Sequence, residues 1–429
     1  AMGDYELCRD TLRLLLDSSE KFNGNGRIPH EVTTMGLCAH PGNTQETAHF
    51  ISMVWLYYEW TGDRDFLDLA FPVLQKSVAW LRAQDDDNDG FPSGYGILEI
   101  PGLNSEMLDT AVYTAQAYTH FAALCRLKAL NAQADGCQTL LNTQADECQT
   151  LSDRTVAAIN TVMWDEEAGL YCDACTSSAD VRSRYDAILG RRYGAGVDTG
   201  RQALDEALAK KAKLPPEAES GWLLNYGWTI NTPMETGIAT RDKALRALEQ
   251  MHGDRFIGEY GMYLSGIFQD AAMTISTGVM AVAQARYGFA DRALALLEKM
   301  FACFGHATPG CISEMLPDYG CFAQAWTIYA AQIPITRYFF GIQPSASQNR
   351  LRVVPCMPSA WPFAELRRLR VLDGELSLRY QRDGKDCCWH LEYTGSASVV
   401  FVVPEGYDNH ASEIMMNDGR LDVSLKAQT

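Results

Sequence analysis

The chain has 429 residues, 47% apolar and 21% charged, which is enough to bury a large core and unlike disordered, collagenous or disulfide-scaffold sequences. Its 36 Lys+Arg against 54 Asp+Glu leave a net charge of -18, which argues against nucleic acid or an anionic membrane surface as partner. No apolar run reaches the ~18 residues of a membrane span and no N-terminal stretch has the plan of a secretory signal, so a cytoplasmic location is expected.

Ala1-Met2-Gly3 leads almost directly into a helix, which leaves room upstream for a further domain or an export signal. Apolar periodicity predicts helices over 5–22, 45–60, 66–83, 106–130, 155–163, 242–251, 271–287, 290–304 and 322–339. Between them, LNAQADGCQTL at 130–140 is nearly repeated by LNTQADECQTL at 141–151. Eleven residues make about three helical turns, so the duplication reads as a lengthened surface helix. After Gly341 the character changes, and short strands are predicted at 351–354, 371–372, 376–380, 389–393 and 399–403 between Gly, Asp and Pro. The expected fold is mainly α: an (α/α)6 toroid of helical hairpins over 4–340, with a small C-terminal antiparallel β domain over 341–429. The thirteen cysteines are odd in number and hold a single C-x-x-C, Cys172 and Cys175, so reduced and buried thiols are expected rather than a zinc site.

Two loops concentrate polar chemistry. The first, 85–109, is dense in Gly, Pro and carboxylates. Asp85, Asp87, Asp89 and Gly90 imitate a calcium loop, but the twelfth position is Gly96 where a bidentate Glu is required, so a solvated acidic turn is expected. Farther on, Glu99 lies among Ile97, Leu98, Ile100 and Pro101, an apolar setting that would raise a carboxyl pKa and suit a general acid. Capping the next helix is the other reading of Glu99, and Asp109 is either a pocket residue or a helix-dipole charge. The second loop, GCISEMLPDYGCFAQAW at 310–326, offers Glu314 to handle a proton, Gln324 for hydroxyls and Trp326 to stack on a pyranose or pack the core. His30, Asn43, Gln45, Glu46, His49, Trp228, Asn231, Glu235, Glu259 and Tyr260 lie where helix ends would meet, and together they outnumber what caps require. The histidines lack the spacing of a metal pair, and no phosphate loop or GxSxG elbow occurs, so neither a metal nor a cofactor is expected.

GRIPHEV, NTQETAHF, YYEWTGDRDFL, DNDGFPSGYGILEIPGLN, MWDEEAGLYCD and SEMLPDYGCFAQAW resemble the six-hairpin, (α/α)6-barrel glycosidases, most nearly bacterial amylo-α-1,6-glucosidases related to the glucosidase half of glycogen debranching enzymes. The resemblance covers almost the whole helical region. It implies a catalytic base at Glu314, from Ser313-Glu314, Gly320-Cys321 and 323–326. The acid, an Asp in relatives, is assigned to Glu99 by loop position alone. The run 339–362 resembles segments joining such barrels to a β domain in rhamnosidases and disaccharide phosphorylases, whereas the β-sandwich that usually precedes the barrel is absent from this sequence. The resulting expectation is an exo-acting, inverting glycoside hydrolase of α-linked glucosides or related sugars. Glu99 and Glu314 are its carboxylates, and His30, Asn43, Gln45, Glu46, Asp109, Glu235 and Trp326 contact the sugar. Its partner is a carbohydrate substrate, and its oligomeric state is left open. A glycoside phosphorylase and a non-catalytic carbohydrate-binding barrel are the alternatives.

Overall fold

The computed structural model describes residues 3–94, 96–97, 106–132, 134–190, 197–269, 271–322, 325–408 and 412–427. Along the chain run α1 (Tyr5–Ser18), α2 (Thr44–Thr61), α3 (Arg64–Arg82), α4 (Leu108–Asn131) and α5 (Asp135–Ile159), then α6 (Ser178–Ser183), α7 (Tyr185–Gly190) and α8 (Val197–Lys210). They are followed by α9 (Thr232–Thr236), α10 (Arg241–Met251), α11 (Thr274–Arg286), α12 (Ala290–Phe301) and α13 (Ala325–Ile333).

The sequence itself sorts these helices into two rings. α1, α3, α10 and α12 carry one apolar stripe and a charged face, so they bury one side and leave the other to water. α2, α4 and α11 are apolar or small nearly all round and are buried on most sides, which only an inner position allows. The inner helices form a chain of contacts, α2 on α4, α4 on α9, α9 on α11 and α11 on α13, and the outer ones back them, α1 on α2, α5 on α4, α10 on α9 and α12 on α11. The result is the expected α-toroid of helical hairpins. Because the outer helices α1, α3, α10 and α12 directly precede α2, α4, α11 and α13, those inner helices run the same way and their N-termini gather at one end.

Several local expectations change. Residues 106–107 form a strand, not the start of a helix, and α4 begins after its N-cap Met107. That strand pairs with Ala174–Ser177, which pairs with Glu219–Trp222, a three-stranded patch inside the helical region that no alternation in the sequence announced. The duplicated stretch 130–151, expected as a lengthened surface helix, runs from the end of α4 into α5, which extends over Asp135–Ile159. The predicted helix 322–339 is α13 continued by a π-helical turn, Pro334–Phe339.

Beyond Gly341 the chain forms a five-stranded antiparallel sheet in the order Phe363–Val371, Gly374–Asp383, Asp386–Tyr393, Arg420–Ala427 and Tyr407–Asp408. A four-stranded sheet faces it, with one parallel pair, Arg350–Val353 beside Ser398–Val402. Alternate residues such as Leu376, Leu378 and Tyr380 are buried between the sheets, as the period of two requires. Trp60, at the end of α2, belongs to this second core, and its carbonyl accepts from Leu372 N–H at 2.8 Å. The β sheets thus dock on the C-terminal end of an inner helix, away from the end where the inner N-termini meet.

Candidate active site

At the start of α2, Asn43 and Glu46 form a capping box: the Asn43 side chain accepts from the backbone of Glu46, and Glu46 Oε2 accepts from Asn43 N–H at 2.6 Å. The other oxygen of Glu46 is bonded to His30 Nδ1, whose ring lies edge-on to His40 at 5.1 Å. Burial works to raise the Glu46 pKa, but the His30 hydrogen bond and the backbone N–H groups outweigh it and hold the carboxyl below its usual range. Three expected sugar contacts, His30, Asn43 and Glu46, are therefore engaged with one another. Gln45 is not: it is buried and its Oε1 has no hydrogen-bond partner.

Asp109, in the first turn of α4, is completely buried. Its Oδ2 accepts from Ile97 N–H at 2.6 Å, and a Cβ at Gly96 would lie 2.5 Å from Oδ1, so only glycine lets the loop press this closely on the carboxyl. Burial pushes its pKa up to about 6 against the pull of the backbone N–H groups. One turn deeper on the same face, Tyr113 packs on His49 with ring centroids 4.1 Å apart and donates to Glu235 Oε2 at 3.3 Å. Tyr329 of α13 donates to the other oxygen of Glu235 at 2.6 Å. Burial raises the Glu235 pKa, opposed by the Tyr329 bond and the Arg286 charge. Glu235 thus ties three inner helices together below the mouth.

Glu314 lies between α12 and α13 in a turn clamped to α11. Its backbone N–H bonds Cys321 O at 2.9 Å and its carbonyl accepts from Thr274 N–H at 2.9 Å, while its Oε2 accepts from Cys321 N–H at 3.2 Å. Gly320, at φ +84°, makes the turn, and a Cβ there would lie 3.0 Å from Glu314 Oε2, so its missing side chain leaves room for the carboxylate. Glu99 and Gln324 lie outside the described residues, as does the Trp326 side chain. The structure brings Gln45, Asp109 and Glu314 to the starts of inner helices or beside them; Glu235 stands deeper.

Asp173, which no sequence argument singled out, organises this end. Its Oδ2 accepts from the N–H groups of Leu224, Asn225 and Tyr226 at 2.8–3.1 Å and its Oδ1 from Gly227 at 2.8 Å. The run MWDEEAGLYCD held the residue, but its four donors come 51–54 positions later.

Burial pushes both His49 and His120 down to about 4, so both rings are neutral at pH 7. His120 stacks on Trp55 at 6.2 Å. In the unfolded chain a histidine titrates near ~6.5, so between about pH 6.5 and 4 the unfolded state binds a proton that the native state refuses, and stability falls as pH falls across that window. His120→Phe removes this contribution. Its urea midpoint is expected to drop less than that of the parent between pH 7 and about pH 4.5; equal drops would remove His120 as a source of acid sensitivity.

No protein-family model matches the chain, and no curated protein sequence does. Among solved structures it is similar to the GH78 family rhamnosidase of Bacillus sp. GL1, with 14% identity over 89% of this chain and a TM-score of 0.59. The α-L-rhamnosidase from Dictyoglumus thermophilum gives 14% identity, 98% coverage and a TM-score of 0.59. The Streptomyces avermitilis α-L-rhamnosidase complexed with L-rhamnose gives 13%, 98% and 0.54. This chain spans 35%, 42% and 36% of the lengths of those three chains. The likeness extends through the helical toroid and the C-terminal sheets, and it establishes the fold as that of six-hairpin glycosidase barrels.

Proposed function

We propose that the chain is a glycoside hydrolase that removes a terminal sugar from α-linked glucosides or related glycosides with inversion. The observation that carries the reading is the number of buried polar atoms without partners near the starts of the inner helices: Gln45 Oε1, Thr110 Oγ1, Thr114 Oγ1, Thr229 Oγ1, Asn231 Oδ1 and Thr327 Oγ1. Burying such groups unpaired costs about 1–3 kcal/mol each, and a hydroxyl-rich ligand or the water it displaces satisfies donors and acceptors of this kind. The rhamnosidase likeness supports the fold on which this site is built.

Glu314 acts as the base that takes a proton from water, its carboxylate oriented by the Cys321 N–H and its turn fixed against α11. The acid comes from the loop between α3 and α4. Asp109 carries a raised pKa but is sealed under Gly96 and Ile97, so it serves as the anchor of that loop, and Glu99 donates the proton to the leaving oxygen. Inversion requires about 6.5–9.5 Å between the two carboxyl groups, room for the attacking water.

A screen of nitrophenyl glycosides and α-linked disaccharides, followed by proton NMR of the active one, tests the reading. Release of the β-anomer first from an α-linked substrate is expected. Initial release of the α-anomer overturns inversion, and turnover that requires inorganic phosphate makes the protein a phosphorylase. Glu99→Gln is expected to lose more rate on sugars with poor leaving groups than on aryl glycosides. If Asp109→Asn behaves so and Glu99→Gln does not, Asp109 is the acid.

A further inference from the structure

The acidic turn before the loop is exposed over residues 86–89, as its sequence implied, but its carboxylates do not all face water alone. Asp85, its first carboxylate, is taken by Arg154 Nη2 at 2.8 Å. Asp87 and Asp89 turn the other way and meet two carboxylates from distant strands, Glu106 and Glu219, with one oxygen of each of the four within 4.8 Å of the others. Three of these residues are exposed, but Glu106 is 6% exposed, and its Oε2 is buried with no hydrogen-bond partner. Among the described residues none of the four is in an ion pair; the charges acting on Glu106 are those of Asp89, Glu219 and Asp87, and the Cys175 side chain is its hydrogen-bond neighbour. Four carboxyl groups held face to face, one of them buried, repel one another, and either a proton on Glu106 or a shared cation relieves the repulsion.

We propose that Asp87, Asp89, Glu106 and Glu219 form a calcium site. An all-oxygen set selects a hard cation. Ligands about 2.3–2.6 Å from a common ion stand up to about 5 Å apart, as these do, and the adaptable shell of Ca²⁺ tolerates four carboxylates where Mg²⁺ demands an octahedron and keeps its water. The missing twelfth ligand of the loop is replaced from outside it, by Glu106 and Glu219. The ion would staple the turn 87–89 to the strands Glu106–Met107 and Glu219–Trp222, fixing both ends of the loop that covers Asp109.

The full chain, stripped with EDTA and dialysed, is titrated with CaCl₂ by calorimetry and melted with and without about 5 mM Ca²⁺. One site per chain with a dissociation constant at or below ~10⁻⁴ M and a rise in Tm of at least ~2 °C are expected. Asp87→Asn/Glu219→Gln alters only exposed positions and keeps Glu106 in place. With its native circular dichroism intact, it is expected to bind Ca²⁺ at least ~10-fold more weakly and to lose the shift. No heat and no shift in the parent protein, binding by the double variant as tight as the parent's, or Mg²⁺ matching Ca²⁺ would each overturn the proposal. None of these readings depends on glycosidase activity.

Discussion

Glu314→Gln is expected to lower kcat on the active glycoside at least ~10²-fold, with KM and circular dichroism near those of the parent. The amide fills the same volume, and its oxygen can still accept the Cys321 N–H that fixes the carboxylate. It cannot take a proton from water. A residue engaged only as the reaction proceeds lowers kcat and kcat/KM together, whereas one that merely binds sugar raises KM and leaves kcat. Turnover near that of the parent would remove Glu314 from the base role. A raised KM alone would make it a binding residue.

The helices were legible because their burial is written in their periodicity: residues 45–60 and 290–304 are α2 and α12 to within a few positions. What escaped was structure whose partners are remote in sequence. The strand Glu106–Met107 is two residues long and exists only because Ala174–Ser177 lies beside it. Loop spacing at Asp85 cannot register that Glu106 and Glu219 come to meet the turn. At the candidate site, a motif singles out Glu314 but says nothing of the turn that holds it, and the burial of Asp109 under Gly96 depends on how the loop folds back. Asn43-Thr44-Gln45-Glu46 has the N-x-x-E pattern of a capping box, which assigns Asn43 and Glu46 to the helix before any sugar is considered.

Asp173→Ala is expected to destabilise the chain by about 4 kcal/mol or more, the largest effect foreseen for a residue outside the chemistry. The side chain is completely buried, and its two oxygens take four backbone N–H groups from 224–227, the segment leading to Asn231 and α9. Its own carbonyl accepts from Leu108 N–H at 3.1 Å, so the same residue holds the start of α4, where Asp109 sits. Truncation leaves three buried donors and one part-buried donor unpaired at about 1–3 kcal/mol each, less whatever water recovers. Asp173→Asn should be milder and diagnostic. Its amide oxygen can face the three donors from Leu224, Asn225 and Tyr226, but its NH₂ then opposes Gly227 N–H, so roughly one interaction is lost, about 1–3 kcal/mol. Urea unfolding of the three proteins should rank them parent, Asn, Ala. Activity should fall with the loosening of 224–227 even in conditions where both variants remain folded. An Ala variant within about 1 kcal/mol of the parent would mean that 224–227 finds its conformation without the carboxylate.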